Sequence, residues 1–240
     1  MVDVVFQDLC LDVTAGGGRP AAVAEFWAAA LDLTISGAGG EDSKLSPPAG
    51  VTSARTVWVN AVPEAMEAKA RVHLDLCLPG GDPAPLLAAG ATLVRAADEE
   101  RAWHVLEDPD GIVLCVFDPL TVGSGQLGVY ELVVDAVDPE AIAGWWADRT
   151  GAAVHRHPDR PFVWLEGVPG FPFQRWEFNP VPEPKTTKNR VHWDVTLEDA
   201  TVADLTAAGA TIVTDPAPDA RWTVLADPEG NEFCVFAKAG

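Results

Sequence analysis

The sequence predicts an α+β chain built from four modules, each a strand, a helix and about three further strands, with two modules in each half of the chain. Three observations carry this prediction. One stretch of the chain is duplicated at fixed spacing, each unit opens on a strand with strict alternation, and a helix signal follows directly behind.

Aligned without gaps at a shift of 119 residues, segments 69–117 and 188–236 share 23 identities in 49 positions, where chance supplies about three. Val72-His73 matches Val191-His192, Asp75 matches Asp194, Gly90-Ala91-Thr92 matches Gly209-Ala210-Thr211, and Trp103 matches Trp222. The same shift carries Asn60 onto Asn179 and Phe26-Trp27 onto Trp145-Trp146. A tandem duplication follows, with a first domain over 1–120, a linker over 121–127 and a second domain over 128–240. The polar, Gly- and Pro-containing joint puts the boundary near Gly125.

In order, residues 6–12 alternate as a strand with Asp8, Cys10 and Asp12 on one face. Gly16-Gly17-Gly18 turns the chain, Pro20 suits a first helical turn, and 21–31 forms a helix with Val23, Phe26, Trp27 and Ala30 on one side. Segment 33–60 is strand-like but broken by Gly37-Ala38-Gly39-Gly40 and Pro47-Pro48. Its clearest strand is 55–62, with Trp58 and Asn60 on one face. A strand at 73–78, a helix at 82–89 closed by Gly90, and strands at 92–94, 102–107 and 112–117 make the second module, whose last turn is Asp108-Pro109-Asp110-Gly111. The third opens with a strand at 131–135. Asp138 caps its helix, Pro139 fills the first turn, and Ile142, Trp145 and Trp146 form the apolar side. Strands follow at 162–165 and 175–179, the latter with Arg175, Glu177 and Asn179 on one face. The fourth has strands at 192–197, 211–213, 222–225 and 231–236 around a helix at 201–208.

Sixteen Lys and Arg against 36 Asp and Glu give a formal charge of -20. Such a balance repels phosphate backbones and argues against nucleic acid, while favouring cationic ligands. No apolar run reaches the roughly 18 residues of a membrane span, and the start lacks a signal-peptide pattern. Four cysteines without CxxC spacing read as reduced thiols. The expected compartment is the cytoplasm.

Alternation in Arg190-Val191-His192-Trp193-Asp194-Val195, and in its copy Arg71-Val72-His73-Leu74-Asp75-Leu76, puts the His and Asp on one face and the apolar residues on the other. These modules, the Asp-Pro helix start with Trp145-Trp146, the run from Val181-Pro182-Glu183-Pro184 to Arg190-Val191-His192, and the ending Asp227-Pro228-Glu229-Gly230-Asn231-Glu232-Phe233-Cys234 resemble the vicinal oxygen chelate superfamily. The likeness is nearest to its glyoxalase-like branch, which also holds bleomycin-resistance-like proteins. It implies βαβββ modules packed into open, cup-shaped mixed sheets, as two tandem glyoxalase-like domains.

In metal-dependent members each module gives one ligand from its first strand and one from its last. The matching places are Asp8, a residue near Trp58 or Asn60, His73 and Cys115 in the first domain. In the second they are Glu131, Glu177 or Asn179, His192 and Cys234. Cys115 and Cys234 stand where the resemblance implies Glu, so no cofactor is certain. The implied metal set is Glu131, Glu177, His192 and Cys234, a mixed oxygen, nitrogen and sulfur set suited to zinc, with nickel, iron and manganese as other candidates. Glu131 and His192 are the implied catalytic pair. The expected ligand pocket draws on Asp8, Trp58, Asn60, His73, Asp75, Trp103, Cys115, Asn179, Asp194 and Trp222, and Trp164 and Trp176 are further candidates for an aromatic lining.

Each has a plainer alternative. His73 and His192 serve equally as structural partners of Asp75 and Asp194, and a buried small thiol is commonplace. Two function classes follow: a small-molecule binder of glyoxalase and bleomycin-resistance type with an acidic, Trp-lined cup, and a divalent-metal-dependent lyase, isomerase or dioxygenase with its metal in the second domain. Four modules in one chain fit a monomer, and a homodimer is the alternative.

Overall fold

A computed structural model describes residues 2–36, 42–48, 56–66, 68–124, 127–214 and 221–238. The Gly37–Gly40 break and the boundary expected near Gly125 lie outside the described residues. The first module is β1 (Val4–Thr14), α1 (Arg19–Leu31), β2 (Thr34–Ser36), β3 (Ser43–Ser46) and β4 (Val57–Val62). The second is β5 (Val72–Cys77), α2 (Ala84–Ala88), β6 (Thr92–Arg95), β7 (Trp103–Glu107) and β8 (Val113–Phe117), followed at the joint by a short α3 (Pro119–Val122). The third is β9 (Gly128–Ala136), α4 (Pro139–Thr150), β10 (Ala153–Arg156), β11 (Val163–Glu166) and β12 (Arg175–Pro180). The fourth is β13 (Val191–Leu197), α5 (Val202–Ala207), β14 (Thr211–Thr214), β15 (Trp222–Ala226) and β16 (Glu232–Phe236).

Local chemistry sets the helix limits. The Asp138 side chain accepts from the Ala141 N–H at the start of α4, and Gly151 ends the helix in the left-handed region, where a residue without a Cβ pays no steric cost. A capping box between Thr201 and Asp204 opens α5. Among the described residues no helix is long and apolar enough to cross a membrane.

The strands form two open eight-stranded sheets, ordered β14-β15-β16-β13-β1-β4-β3-β2 and β10-β11-β12-β9-β5-β8-β7-β6. At the centre of one, β1 runs antiparallel to β13; at the centre of the other, β5 runs antiparallel to β9. Each sheet therefore joins a module from each half of the chain: first with fourth, second with third.

The two sheets meet through their apolar faces. Trp146 of α4 lies with its ring 4.7 Å from Trp176 of β12, 5.5 Å from Trp193 of β13 and 5.0 Å from Phe233 of β16. Trp176 and Trp193 themselves approach to 4.9 Å, edge to face. Because successive strand residues point to opposite faces, the faces bearing Glu177 and His192 are turned away from each other. Two matched hydrogen bonds tie the helices across: Trp27 Nε1 donates to Asp108, and Trp146 Nε1 donates to Asp227.

Candidate functional site

Register defines the polar face of each sheet. On the β5/β9 sheet, Asp75 lies beside Cys115 and Glu131, Glu131 beside Arg175, His73 beside Val133, and Val133 beside Glu177. On the β1/β13 sheet, Cys10 lies beside His192 and Trp58, Asp194 beside Cys234, and Asp12 beside Asn60. The two faces are variations on one plan, in which Val133 takes the place of Cys10 and Glu177 the place of Trp58. Asp135, paired with Asn179, matches Asp12. In this frame Asp8 matches Glu131, a shift of 123 residues instead of 119, because the first half spends four more residues on its β1–α1 turn.

The β5/β9 face is crowded with acid. Asp75, Glu131 and Glu177 are all buried, and the counter-charge in contact is the Arg175 guanidinium, 3.2 Å from Glu131. Arg175 is held over the rings of Trp164 at 4.6 Å and Tyr130 at 5.3 Å, and Trp164 stacks in turn on His155. Trp103 and Phe117 stack on the other wing at 5.3 Å. Burial, with the neighbouring Glu177 and Asp75 charges, pushes the Glu131 carboxyl up to about 9. Burial and Asp75 push Glu177 up to about 7. Near neutrality the pair retains protons. His73 Nε2 lies 3.3 Å from Asp75 Oδ1 without hydrogen-bond geometry, and both His73 Nδ1 and Asp75 Oδ1 are buried without a hydrogen-bond partner.

The β1/β13 face is better compensated. Lys188 Nζ is 2.5 Å from Asp12, and the Trp58 indole N–H donates to Asp8 at 3.0 Å. Burial, with the neighbouring Asp8 and Asp12 charges, pushes Asp194 up to about 7. Burial lowers the His192 pKa and keeps the ring neutral. All four cysteines are free thiols.

This placement corrects the expected groupings. Glu131 and His192 do not form a catalytic pair, and Glu131, Glu177, His192 and Cys234 do not form one metal set, because β9 and β12 belong to one sheet and β13 and β16 to the other. The expected ligand-pocket residues likewise divide: Asp8, Trp58, Asn60, Asp194 and Trp222 on the β1/β13 sheet, and His73, Asp75, Trp103, Cys115 and Asn179 on the β5/β9 sheet. Trp176 is 1% exposed and belongs to the core, so it lines neither face. Among the described residues, two groups have ligand atoms within 4.8 Å of one another: His73, Asp75 and Cys115, and Cys10, His192 and Asp194. Their imidazole, carboxylate and thiol donors, with unpartnered nitrogen and oxygen atoms among them, fit a divalent ion. Cys10 was missed as a candidate, although its alternation with Asp8 and Asp12 already put it on the polar face.

Raised carboxyl pKa values fix a pH trend. A carboxyl whose folded pKa lies above its unfolded value, about 4.3 for Glu, contributes stability that is fully present below that unfolded value. The contribution is lost as pH rises through the folded pKa. For Glu177 and Glu131 the loss runs up through about 7 and about 9. The melting temperature should fall by roughly 5–10 °C between pH 6 and pH 9, and Glu177→Gln should flatten the fall. Thermal scans in which the melting temperature rises over that interval contradict the assignment.

A family model described as a glyoxalase-like domain matches the chain twice, over residues 8–117 and 131–236. Among solved structures, a glyoxalase I mutant from Zea mays is similar with a TM-score of 0.65 at 12% identity, covering 98% of this chain and 94% of that one. A putative dioxygenase from Bacillus subtilis gives 0.61 at 11%, covering 100% and 86%. The cppA protein from Streptococcus pneumoniae gives 0.53 at 11%, covering 98% and 99%. No curated protein matches. With both halves matched by one family model and both sheets sharing one plan, the chain belongs to the glyoxalase-like domain family of the vicinal oxygen chelate superfamily.

Proposed function

We propose that this protein binds a small organic cation on the acidic face of the β5/β9 sheet, in the manner of a glyoxalase- and bleomycin-resistance-like binding protein. The observation that carries the reading is the buried trio Asp75, Glu131 and Glu177, with one guanidinium in contact. Burying carboxylates beside one another is costly unless they are protonated or paired. An incoming cation supplies the missing partner.

Benzyltrimethylammonium tests this by calorimetry on the full chain. Saturable, salt-sensitive binding should weaken about tenfold in Glu177→Gln, a loss near 1.4 kcal/mol. Equal binding of the neutral isostere neopentylbenzene, or an unchanged affinity in the variant, overturns it.

A second reading is a divalent-metal-dependent enzyme of lyase, isomerase or dioxygenase type, and the His73, Asp75 and Cys115 group favours it. Those three residues would hold the ion, with Glu177 alongside. A bound ion would supply Lewis-acid polarisation of a carbonyl or enediolate oxygen. The chain's own part would be to orient the substrate against Arg175 and to hold a proton on the Glu131–Glu177 pair. Metal analysis of protein purified without a His tag separates the readings: a stoichiometric metal retained by wild type and lost in His73→Ala supports the enzyme.

A further inference from the structure

Resting on the cation-binding reading above, we propose that Arg175 is a displaceable internal counter-ion: it holds the place of the ligand's cation on Glu131 and moves out to Glu166 when the ligand enters. The guanidinium lies between two acids in opposite situations. Arg175 Nη1 donates to Glu131 Oε1 at 3.2 Å, and Arg175 Nε stands 3.9 Å from Glu166 Oε1. Glu131 is buried, whereas the Glu166 side chain is 46% exposed and that of Arg175 29%. Arg175 thus sits at the rim of the face with one partner inward and one outward.

The outward place is already built. The Trp164 indole N–H donates to Glu166 Oε1 at 2.8 Å, and His155 Nε2 lies 3.8 Å from Glu166 Oε2, which together keep that carboxylate beside the guanidinium. At 3.9 Å the Arg175 contact with it is an ion pair too long for a hydrogen bond, and a short outward movement closes it. A guanidinium stays charged throughout such a move. In its present position it covers the Trp164 and Tyr130 rings, while His155 stacks on Trp164. A ligand that reaches Glu131 must take the space that Arg175 now fills.

A separate observation shows why a ligand would win that space. Asp75 Oδ1 is buried without a hydrogen-bond partner, and Arg175 makes its close contact with Glu131 alone among the three buried acids. A cation seated deeper meets carboxyl oxygens that Arg175 leaves unpaired, and that difference is what shifts an equilibrium between two positions. The other sheet shows the contrast. Register matches Glu131 with Asp8 and Arg175 with Thr56, and there the acid accepts from the Trp58 indole N–H. One face therefore meets this acid with a neutral donor and the other with a charge that has a second place to go.

Calorimetry with benzyltrimethylammonium on the full chain tests the displacement. A ligand that binds only when Arg175 is out has its dissociation constant raised by the reciprocal of the outward fraction, so Arg175→Gln should tighten binding about tenfold. Glu166→Gln removes the outward place and should weaken binding about threefold in the otherwise unaltered chain. In the Arg175→Gln background the same change should have no effect, because no guanidinium is left to receive. A mere change of charge near the site would instead weaken binding equally in both backgrounds. Should Arg175→Gln fail to fold, the Arg175 Nε–H resonance of the ¹⁵N-labelled unaltered chain reads the movement, and it should shift as the ligand saturates. Saturable binding by the wild type with unchanged or weaker affinity in Arg175→Gln, an equal Glu166→Gln effect in both backgrounds, or an unmoved Arg175 resonance overturns the displacement and leaves the cation-binding reading standing. Absence of binding in both the wild type and Arg175→Gln overturns that reading and this inference with it, whereas binding in Arg175→Gln alone supports the displacement.

Discussion

Trp146→Ala lowers the unfolding free energy by about 3–5 kcal/mol. The side chain is fully buried and packs at once against Trp176 of one sheet and Trp193 and Phe233 of the other. Deleting it opens a cavity at the contact where the two sheets meet, and closing that cavity requires both to move. The change also removes the indole donor to Asp227, 3.1 Å away, from a carboxyl that burial already pushes up to about 6. Trp146→Phe keeps much of the ring contact and loses the hydrogen bond, so it should cost less. Urea unfolding followed by circular dichroism measures both, and a loss below about 1 kcal/mol for the alanine variant would show that the seam is not a shared core.

Gly170→Ala should cost about 2–4 kcal/mol for a different reason. Gly170 lies in the β11–β12 connection at φ +77°, and an added Cβ would meet the Phe6 carbonyl oxygen at 2.1 Å and Val5 Cγ1 at 2.9 Å. The left-handed backbone strains any L side chain, and the first obstacle is main chain that cannot swing aside. The same loop hydrogen-bonds β1 through the Phe6 N–H and the Pro169 carbonyl, so the strain reaches the opposite sheet. Gly144 of α4 is the internal control. Nothing lies within 4 Å of its added Cβ, and Gly144→Ala should stabilise the chain by up to about 1 kcal/mol. If the two variants have similar melting temperatures, the close approach of Gly170 to β1 is wrong.

The modules and their order were legible because each rests on local signals. Alternation in Arg190-Val191-His192-Trp193-Asp194-Val195, the Asp138-Pro139 helix start and the Asp227-Pro228-Glu229-Gly230 turn all act within a few residues. Which modules share a sheet was not legible. The β1–β13 pairing joins residues such as Cys10 and His192, far apart along the chain, and strand patterning does not name a partner. The chemistry inherits that gap. His192 was rightly put on a polar face, yet grouped with Glu131 and Glu177, which belong to the other sheet. Trp176 illustrates a second limit, since a Trp in a two-faced strand fits either face and its core position depends on α4 packing against it.

The crossed pairing of modules has a consequence for any attempt to divide the molecule. A cut at the joint does not release a foldable half. It strips the 11-residue β1 and the strand β5 of their antiparallel neighbours, baring the middle of each sheet instead of its rim. A nicked chain should therefore stay associated as two interlocked fragments. A half expressed alone could regain its missing strands only by pairing with another copy of itself, restoring as a dimer what the intact chain achieves by folding back on itself.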